Sequence, residues 1–326
     1  MMKIPACVAV LSIAAASAIA PDALAQTWPA RTVRIISPFP AGGASDVVSR
    51  LVAQHLSGAL GRPFVVEARP GAGGNVGTDV AAKAPPDGYT LVLSSSGPLA
   101  NNRFLYKSMP FDGTKDFSYI ILIGQMPMVV VANAGVPVKS LADRVDLARA
   151  RPGQLNAGSP GNGTMGHLTQ ELLKSVGKIN LTHVPYKGGA ALYAALLAGD
   201  IQLSMDVINP WYITNIQSGA IKGLAVTALS RFPMLPDMPT AIEQGMEALE
   251  ASTWFALVGP AGLPKPVVEK LNQEVNRYIA SPAGRAKLLE IGAQPVGGPP
   301  ERIAQIIASE SPKWKRLIEQ SNVRLD

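Results

Sequence analysis

The segment PFPAGGASD, residues 38–46, joins a short apolar run, VRIIS, to an amphipathic stretch that begins at Val47. A strand-to-helix junction of this kind offers chemistry without a reactive side chain. The first turn of a helix carries N–H groups that have no partner in the helix, together with a partial positive charge. Gly42 and Gly43 leave that backbone bare. Pro38 and Pro40 fix φ and reduce the entropy lost on ordering, and Ser45 or Asp46 can cap the helix. The product is a carboxylate-sized seat built from main chain. One Gly-Gly loop is weak support, because glycine mostly marks turns. The pattern recurs, however: PGAGGNVG (70–77), SSSGP (94–98), SPGNGT (159–164), YKGG (186–189) and DVINP (206–210) all follow apolar runs. Small polar loops drawn from both halves of a chain suit a cleft between two domains.

The side chains that could carry a reaction are sparse. The three histidines, His55, His167 and His183, are scattered, and none has a second histidine or a cysteine at metal-ligand spacing. His167 lies one turn into the helix after SPGNGT and could donate to a ligand carboxylate; a local capping or packing role is the lesser reading, since imidazole serves either. His55 falls within an amphipathic helix and His183 within a strand, both as structural residues. Asp206 ends a strand, where it could accept from a ligand amine or hydroxyl or cap the next turn. Asp46 reads as a helix-start residue, favoured there by the helix dipole. Trp254 and Phe255 read as packing where the chain returns to its first domain, with ligand stacking the lesser reading. GAGGNVG misses the dinucleotide fingerprint, since its third glycine position is Val76, and there is no P-loop or G-x-S-x-G elbow. No cofactor and no metal are expected.

These loops need strands and helices to place them. VRIIS (33–37), FVVEA (64–68) and TLVLSSS (90–96) read as strands, and Val47, Val48, Leu51, Val52, Leu56 and Leu60 give a helical face over 46–60. YIILIG and MVVVAN continue the β character. After Ala132 the same grammar restarts, with strands at 155–159, 181–186, 201–207 and 221–228. Helices at 140–150, 165–176, 190–199 and 211–219 lie between them. Such alternation implies βαβ units and a parallel sheet. The last third holds one strand, WFALVGP, and then helices at about 266–280, 282–291, 300–310 and 312–320, several opened by proline.

Composition narrows the class. Lys3, an apolar stretch from Val8 to Ala20 and the small-residue pattern Ala23-Leu24-Ala25 read as a secretory signal peptide, cleaved after Ala25. Cleavage there removes Cys7, the single cysteine, and with it any disulfide or thiol chemistry. About 300 remaining residues can build their own core, most simply as two domains. The formal net charge is +6, but no Lys/Arg run exceeds two, and the basic stripe with aromatics that nucleic acid requires is missing. The surplus fits an acidic small molecule, or simply a basic protein without a second long apolar segment.

Taken in order, the motifs resemble one family. PFPAGGASDVVSR resembles the PFPPGG-x-x-D-x-x-x-R signature of the Bug/TctC family, with Ala41 in place of the second proline. VEARPGAGGNVGTDVAAKAPPDGYTL, PGQLNAGSPGNGTMGHLTQELLK, HVPYKGGAALYAALLAGDIQ, LAVTALSRFPMLPDMPTAIEQG and WFALVGPAGLPKPVVEKLN are similar to further family blocks. The resemblance implies an α/β fold, the type II periplasmic binding protein, with two Rossmann-like domains, a hinge and a ligand cleft between them. The domains would be 26–126 plus 251–326, and 127–250. It implies a monomeric periplasmic receptor that holds a small carboxylate and hands it to the membrane components of a tripartite tricarboxylate transporter, without a reaction. By position it points to Phe39, Ala41, Gly43, Ser45, Asn75 and Ser95 from the first domain as ligand contacts. From the second it points to Ser159, Thr164, His167, Tyr186 and Asp206. The Ala41 departure removes one ring from the first seat but none of its N–H groups. Two rivals remain: an exported α/β enzyme using His167 and Asp206, which lacks a nucleophile or metal, and a co-receptor that docks on a membrane sensor kinase.

Overall fold

The computed structural model describes residues 28–321 and 323–325; the signal peptide expected over residues 1–25 lies outside the described residues. In chain order the elements are β1 (Val33–Ser37), α1 (Ala44–Leu60), β2 (Phe64–Ala68), α2 (Asn75–Ala82), β3 (Thr90–Ser95), α3 (Asn102–Leu105) and β4 (Phe117–Asn133). Then come α4 (Leu141–Ala150), β5 (Asn156–Ser159), α5 (Met165–Gly177), β6 (Thr182–Pro185), α6 (Gly189–Ala198), β7 (Leu203–Val207), α7 (Pro210–Gln217) and β8 (Ile221–Val226). The chain closes with β9 (Ser252–Pro260), α8 (Lys265–Ala280), α9 (Pro282–Glu290), β10 (Gln294–Pro295) and α10 (Glu301–Ser321). Local chemistry sets many of these limits. Ser140 and Asp143 form a capping box on α4, and the Asn209 side chain accepts from the Trp211 and Tyr212 N–H groups at the start of α7.

The strands run in the order β2-β1-β3-β9-β4-β7-β5-β6, with β8 and β10 also paired to β4. The two outer groups, β2-β1-β3 and β7-β5-β6, are parallel, as alternating strands and helices predict. The parallel pairing implied by that alternation does not extend to the middle of the sheet. β9 is antiparallel to β3, and β4 is antiparallel to β7, β8 and β9. The reason is routing. β4 leaves the first half of the molecule and β9 returns to it, so the two crossovers must run in opposite directions where they pair. β4 is also one strand of 17 residues rather than two shorter ones. Residues 117–127 pair with β9, and residues 128–133 sit between β7 and β8. Thr227 ties the crossovers together: its N–H donates to the Met128 carbonyl at 3.0 Å, and its carbonyl accepts from the Ala251 N–H at 3.0 Å.

The core is divided in the same way. β1, β3, α1 and α8 bury Ile35, Leu56, Leu91, Leu271 and Val275 together, whereas Leu168, Leu173, Leu203 and Met205 form a separate cluster around α5 and β7. α10 joins the halves, and it corrects the prediction of two helices broken at Pro312. The helix runs through that proline from Glu301 to Ser321. A proline inside a helix costs about 3 kcal/mol or more. Against it stand Ile303 and Ile307, buried in the first half with Trp254, and Trp314, Leu317 and Ile318, buried in the second. Each such side chain contributes roughly 1.5–3 kcal/mol, so tertiary packing outweighs the local penalty. The Trp254 Nε1–H donates to Glu310 Oε2 at 3.1 Å, which fixes α10 to the returning crossover.

One buried group works against the fold. Arg144 on α4 is fully buried, and its Nε, Nη1 and Nη2 find no hydrogen-bond partner among the described residues. Burial pushes the guanidinium down to about 9. An apolar side chain of similar volume removes the cost of burying a guanidinium whose donors have no partner. Arg144→Met is therefore expected to move the urea midpoint upward with no change in slope, and a lower midpoint would contradict this account of Arg144.

Candidate ligand-binding site

The first wall of the site is the loop from β1 to α1. Gly43 is the extended N-cap of α1 and no side chain caps the helix, so its first N–H groups keep free donor capacity. Asp46 does not face a ligand as a free charge. Its Oδ2 accepts from the Gly42 N–H at 3.2 Å and from Arg50 Nε at 2.9 Å. The loop is held from behind by the segment 70–77. A Cβ on Gly77 would lie 2.6 Å from the Arg69 carbonyl oxygen and 2.7 Å from Pro38 Cα, so only glycine permits that approach. This glycine serves packing. Asn75 beside it also points away from the cleft, donating to Met109 Sδ at 3.4 Å and accepting from Asn102 Nδ2 at 2.6 Å.

The second wall comes from α5, α6, β7 and α7. Thr164 caps α5, and its hydroxyl donates to the Gly161 carbonyl at 2.7 Å. Gly166, in the first turn, lies against β7: a Cβ there would come 2.5 Å from the Met205 carbonyl oxygen. α6 starts at Gly188 and Gly189 without a side-chain cap. Asp206 is the penultimate residue of β7, and Asn209 donates through Nδ2 to the Tyr193 hydroxyl at 2.7 Å. The Tyr193 ring stacks on Trp211 with centroids 4.2 Å apart.

Between the walls is a cavity of about 100 Å³, a volume suited to a small molecule. Three helix starts border it: α1 through Gly43 to Ser45, α5 through Thr164 to Gly166, and α6 through Gly188 and Gly189. Among the described residues no lysine, arginine or histidine lines it, and the one acidic side chain in the lining is Asp206. The positive field in the cavity is therefore that of main-chain dipoles. Burial pushes the Asp206 carboxyl up to about 7, against the N–H of Val207 and the hydroxyls of Tyr193 and Tyr212, which pull it down.

Of the residues expected to contact ligand, Phe39, Gly43, Ser45, Ser95, Thr164 and Asp206 line the cavity. Ala41 is exposed on the outer side of its loop, and Asn75, Ser159, His167 and Tyr186 lie outside the lining. His167 sits behind the wall. Its Nδ1 accepts from the Gly163 N–H at 3.1 Å, and its ring stacks on His183 with centroids 4.0 Å apart. It acts on the cavity through Gly163, which lines it. Ser159 is engaged with the second imidazole, 2.7 Å from His183 Nε2. Tyr193, Asn209 and Thr253 line the cavity and were not predicted to; Phe255 lines it too, where packing was the favoured reading and ligand contact the lesser one. Asn209 and Pro210 after a strand do signal a capped helix start, but nothing in the order of residues shows that Tyr193 or Phe255 faces inward.

The sequence profile of the tripartite tricarboxylate transporter family receptors, TctC, matches residues 48–323. The chain belongs to this family. Among solved structures, the receptor is similar to Rpa4515 of Rhodopseudomonas palustris with adipate, at 36% identity, a TM-score of 0.87 and coverage of 90% of this chain and 98% of that one. It is similar to the periplasmic binding protein BugD, at 32% identity, a TM-score of 0.84 and coverage of 91% and 99%. It is also similar to MatC of R. palustris with bound malate, at 30% identity, a TM-score of 0.83 and coverage of 89% and 100%. The fold is that of the α/β periplasmic binding proteins, and the receptor is a binding protein rather than an enzyme.

The imidazole pair gives the receptor a pH signature. Burial lowers both His167 and His183 to about 4, while unfolded histidines titrate near 6.5. Between those values the unfolded chain binds more protons, so stability is lost as pH falls. The double variant His167→Asn/His183→Asn is expected to lose less of its stability than wild type when urea unfolding is compared at pH 7 and pH 5. Equal losses would contradict the burial of both rings as neutral groups.

Proposed function

We propose that this receptor is exported, loses residues 1–25, and captures a small organic acid between two domains for delivery to the membrane components of a tripartite tricarboxylate transporter. The observation that carries the reading is the convergence of three helix starts, two without a side-chain cap and the third capped by Thr164, on a cavity whose described lining holds no cationic side chain. Such a cavity favours an anion through fixed dipoles alone. Rpa4515 and MatC, which hold adipate and malate, are similar over nearly the whole chain, and their ligands share the carboxylate group.

The same reading assigns 26–126 plus 251–326 to one domain and 127–250 to the other. Closure would turn about the paired crossovers near Pro127 and Ser252, where the β4–β9 register ends. Contacts made only when both walls touch the acid would drive it. A co-receptor for a sensor kinase would use the same cavity with a different membrane partner.

The test is a thermal-shift and denaturation screen against mono-, di- and tricarboxylates. A ligand at a hundred times its Kd is expected to stabilise the protein by about 2.7 kcal/mol. No stabilisation by any acid of the panel would overturn the proposal.

A further inference from the structure

Asp206 is hard to reconcile with a receptor for a fully ionised polyacid. It is 5% exposed, it lines the cavity, and no lysine or arginine faces it there. Its surroundings are all neutral. Tyr212, from α7, places its hydroxyl 3.5 Å from Oδ2, and the Val207 N–H lies 2.7 Å from Oδ1. Tyr193, from α6, holds its hydroxyl at the same end of the cavity, bonded to Asn209. β4 presents Val129 opposite it in the sheet, and α5 presents Gly166. Across the cleft the facing residues are Ser45, Ser95, Thr253 and Phe255, none of them charged. The titratable groups beside Asp206 are thus the two tyrosines, both raised by burial and so un-ionised at neutral pH.

An anion seated on the helix starts has its other end within the same small cavity as this carboxyl. A second ligand carboxylate would meet Asp206 with no counter-ion between them, in a site where little water screens the charges. Given that the cavity is an acid site as proposed above, we infer that Asp206 is a specificity-determining residue that makes its end of the cavity accept only hydrogen-bond donors. The ligand presents there an N–H, an alcohol O–H or an un-ionised carboxyl. A dicarboxylate enters only with one proton from solvent, held between its far carboxyl and Asp206. Burial already pushes the Asp206 carboxyl up to about 7, so the proton is available near neutrality and scarce above it.

The experiment pairs dicarboxylates with their monoamides: succinate, glutarate, adipate and terephthalate, each against the matching half-amide, which keeps the shape but carries one charge and an N–H donor. Affinities are measured at pH 6.5 and 8.5 on wild type and on Asp206→Asn. For the best-bound pair, the wild-type affinity for the dianion is expected to fall about tenfold or more across this range, following the loss of a bound proton, while the monoamide changes little. In Asp206→Asn the pH dependence of the dianion is expected to vanish. Calorimetry on wild type at pH 8 in two buffers of different ionisation enthalpy gives a readout that needs no variant. It should show about one proton taken up per dianion and none per monoamide, by the same linkage. A dianion bound at pH 8.5 as tightly as at pH 6.5, without proton uptake, overturns the inference while leaving the acid receptor intact. Binding of no pair at either pH overturns both.

Discussion

The constraint on which the rest of the structure depends is the charge balance of the cavity. On the proposed reading, a small anion is held in a cavity whose lining, among the described residues, offers no cationic side chain. Among the described lining residues, the positive field comes from peptide dipoles at the starts of α1, α5 and α6. Main-chain donors cannot swing toward a ligand as an arginine can, so the backbone itself must be placed correctly. This explains why the walls are built from bare residues and why their backing is close-packed. Gly77 lets the strand-to-helix loop of one half rest on its neighbour, and Gly166 lets α5 rest on β7. His167 holds Gly163 from behind. A side chain at either glycine would move donors that no rotamer change could restore.

The same need for placement shapes the larger architecture. The donors come from two halves with separate cores, so the halves must be held in a definite relation. β4 and β9 supply that relation, pairing with each other and with strands on both sides. Thr227 bonds to both crossovers, and α10 lies across them with apolar residues sunk in each half. The energy of α10 is tertiary, which is why it tolerates Pro312.

Much of this was legible in the residues. The strand runs at 33–37 and 64–68 have the observed limits, and the stripes of α1 and α8 face the core as their spacing demands. The glycine loops after strands gave the backbone character of the site. What the order of residues did not carry was direction and facing. Whether two apolar runs near Gly124 form one strand, and whether it runs with or against its neighbours, depends on where the chain returns more than a hundred residues later. His167 was placed correctly along α5, but that helix is buried continuously from Met165 to Leu173, so periodicity could not say which side met the cavity. Phe255 and Tyr193 are apolar residues in apolar runs, indistinguishable from core until the two walls face each other.

The central claim is that main-chain amides hold the anion. It is tested most directly by following backbone amide resonances while adipate or another acid that binds is titrated in. The account predicts that amide protons at the starts of α1, α5 and α6 (Ala44, Ser45, Met165, Gly166 and Gly189) move downfield together along one saturation curve, as expected for new hydrogen bonds to a carboxylate. Saturable binding that leaves those amides unmoved, with the changes confined to surface lysine and arginine side chains, would contradict it.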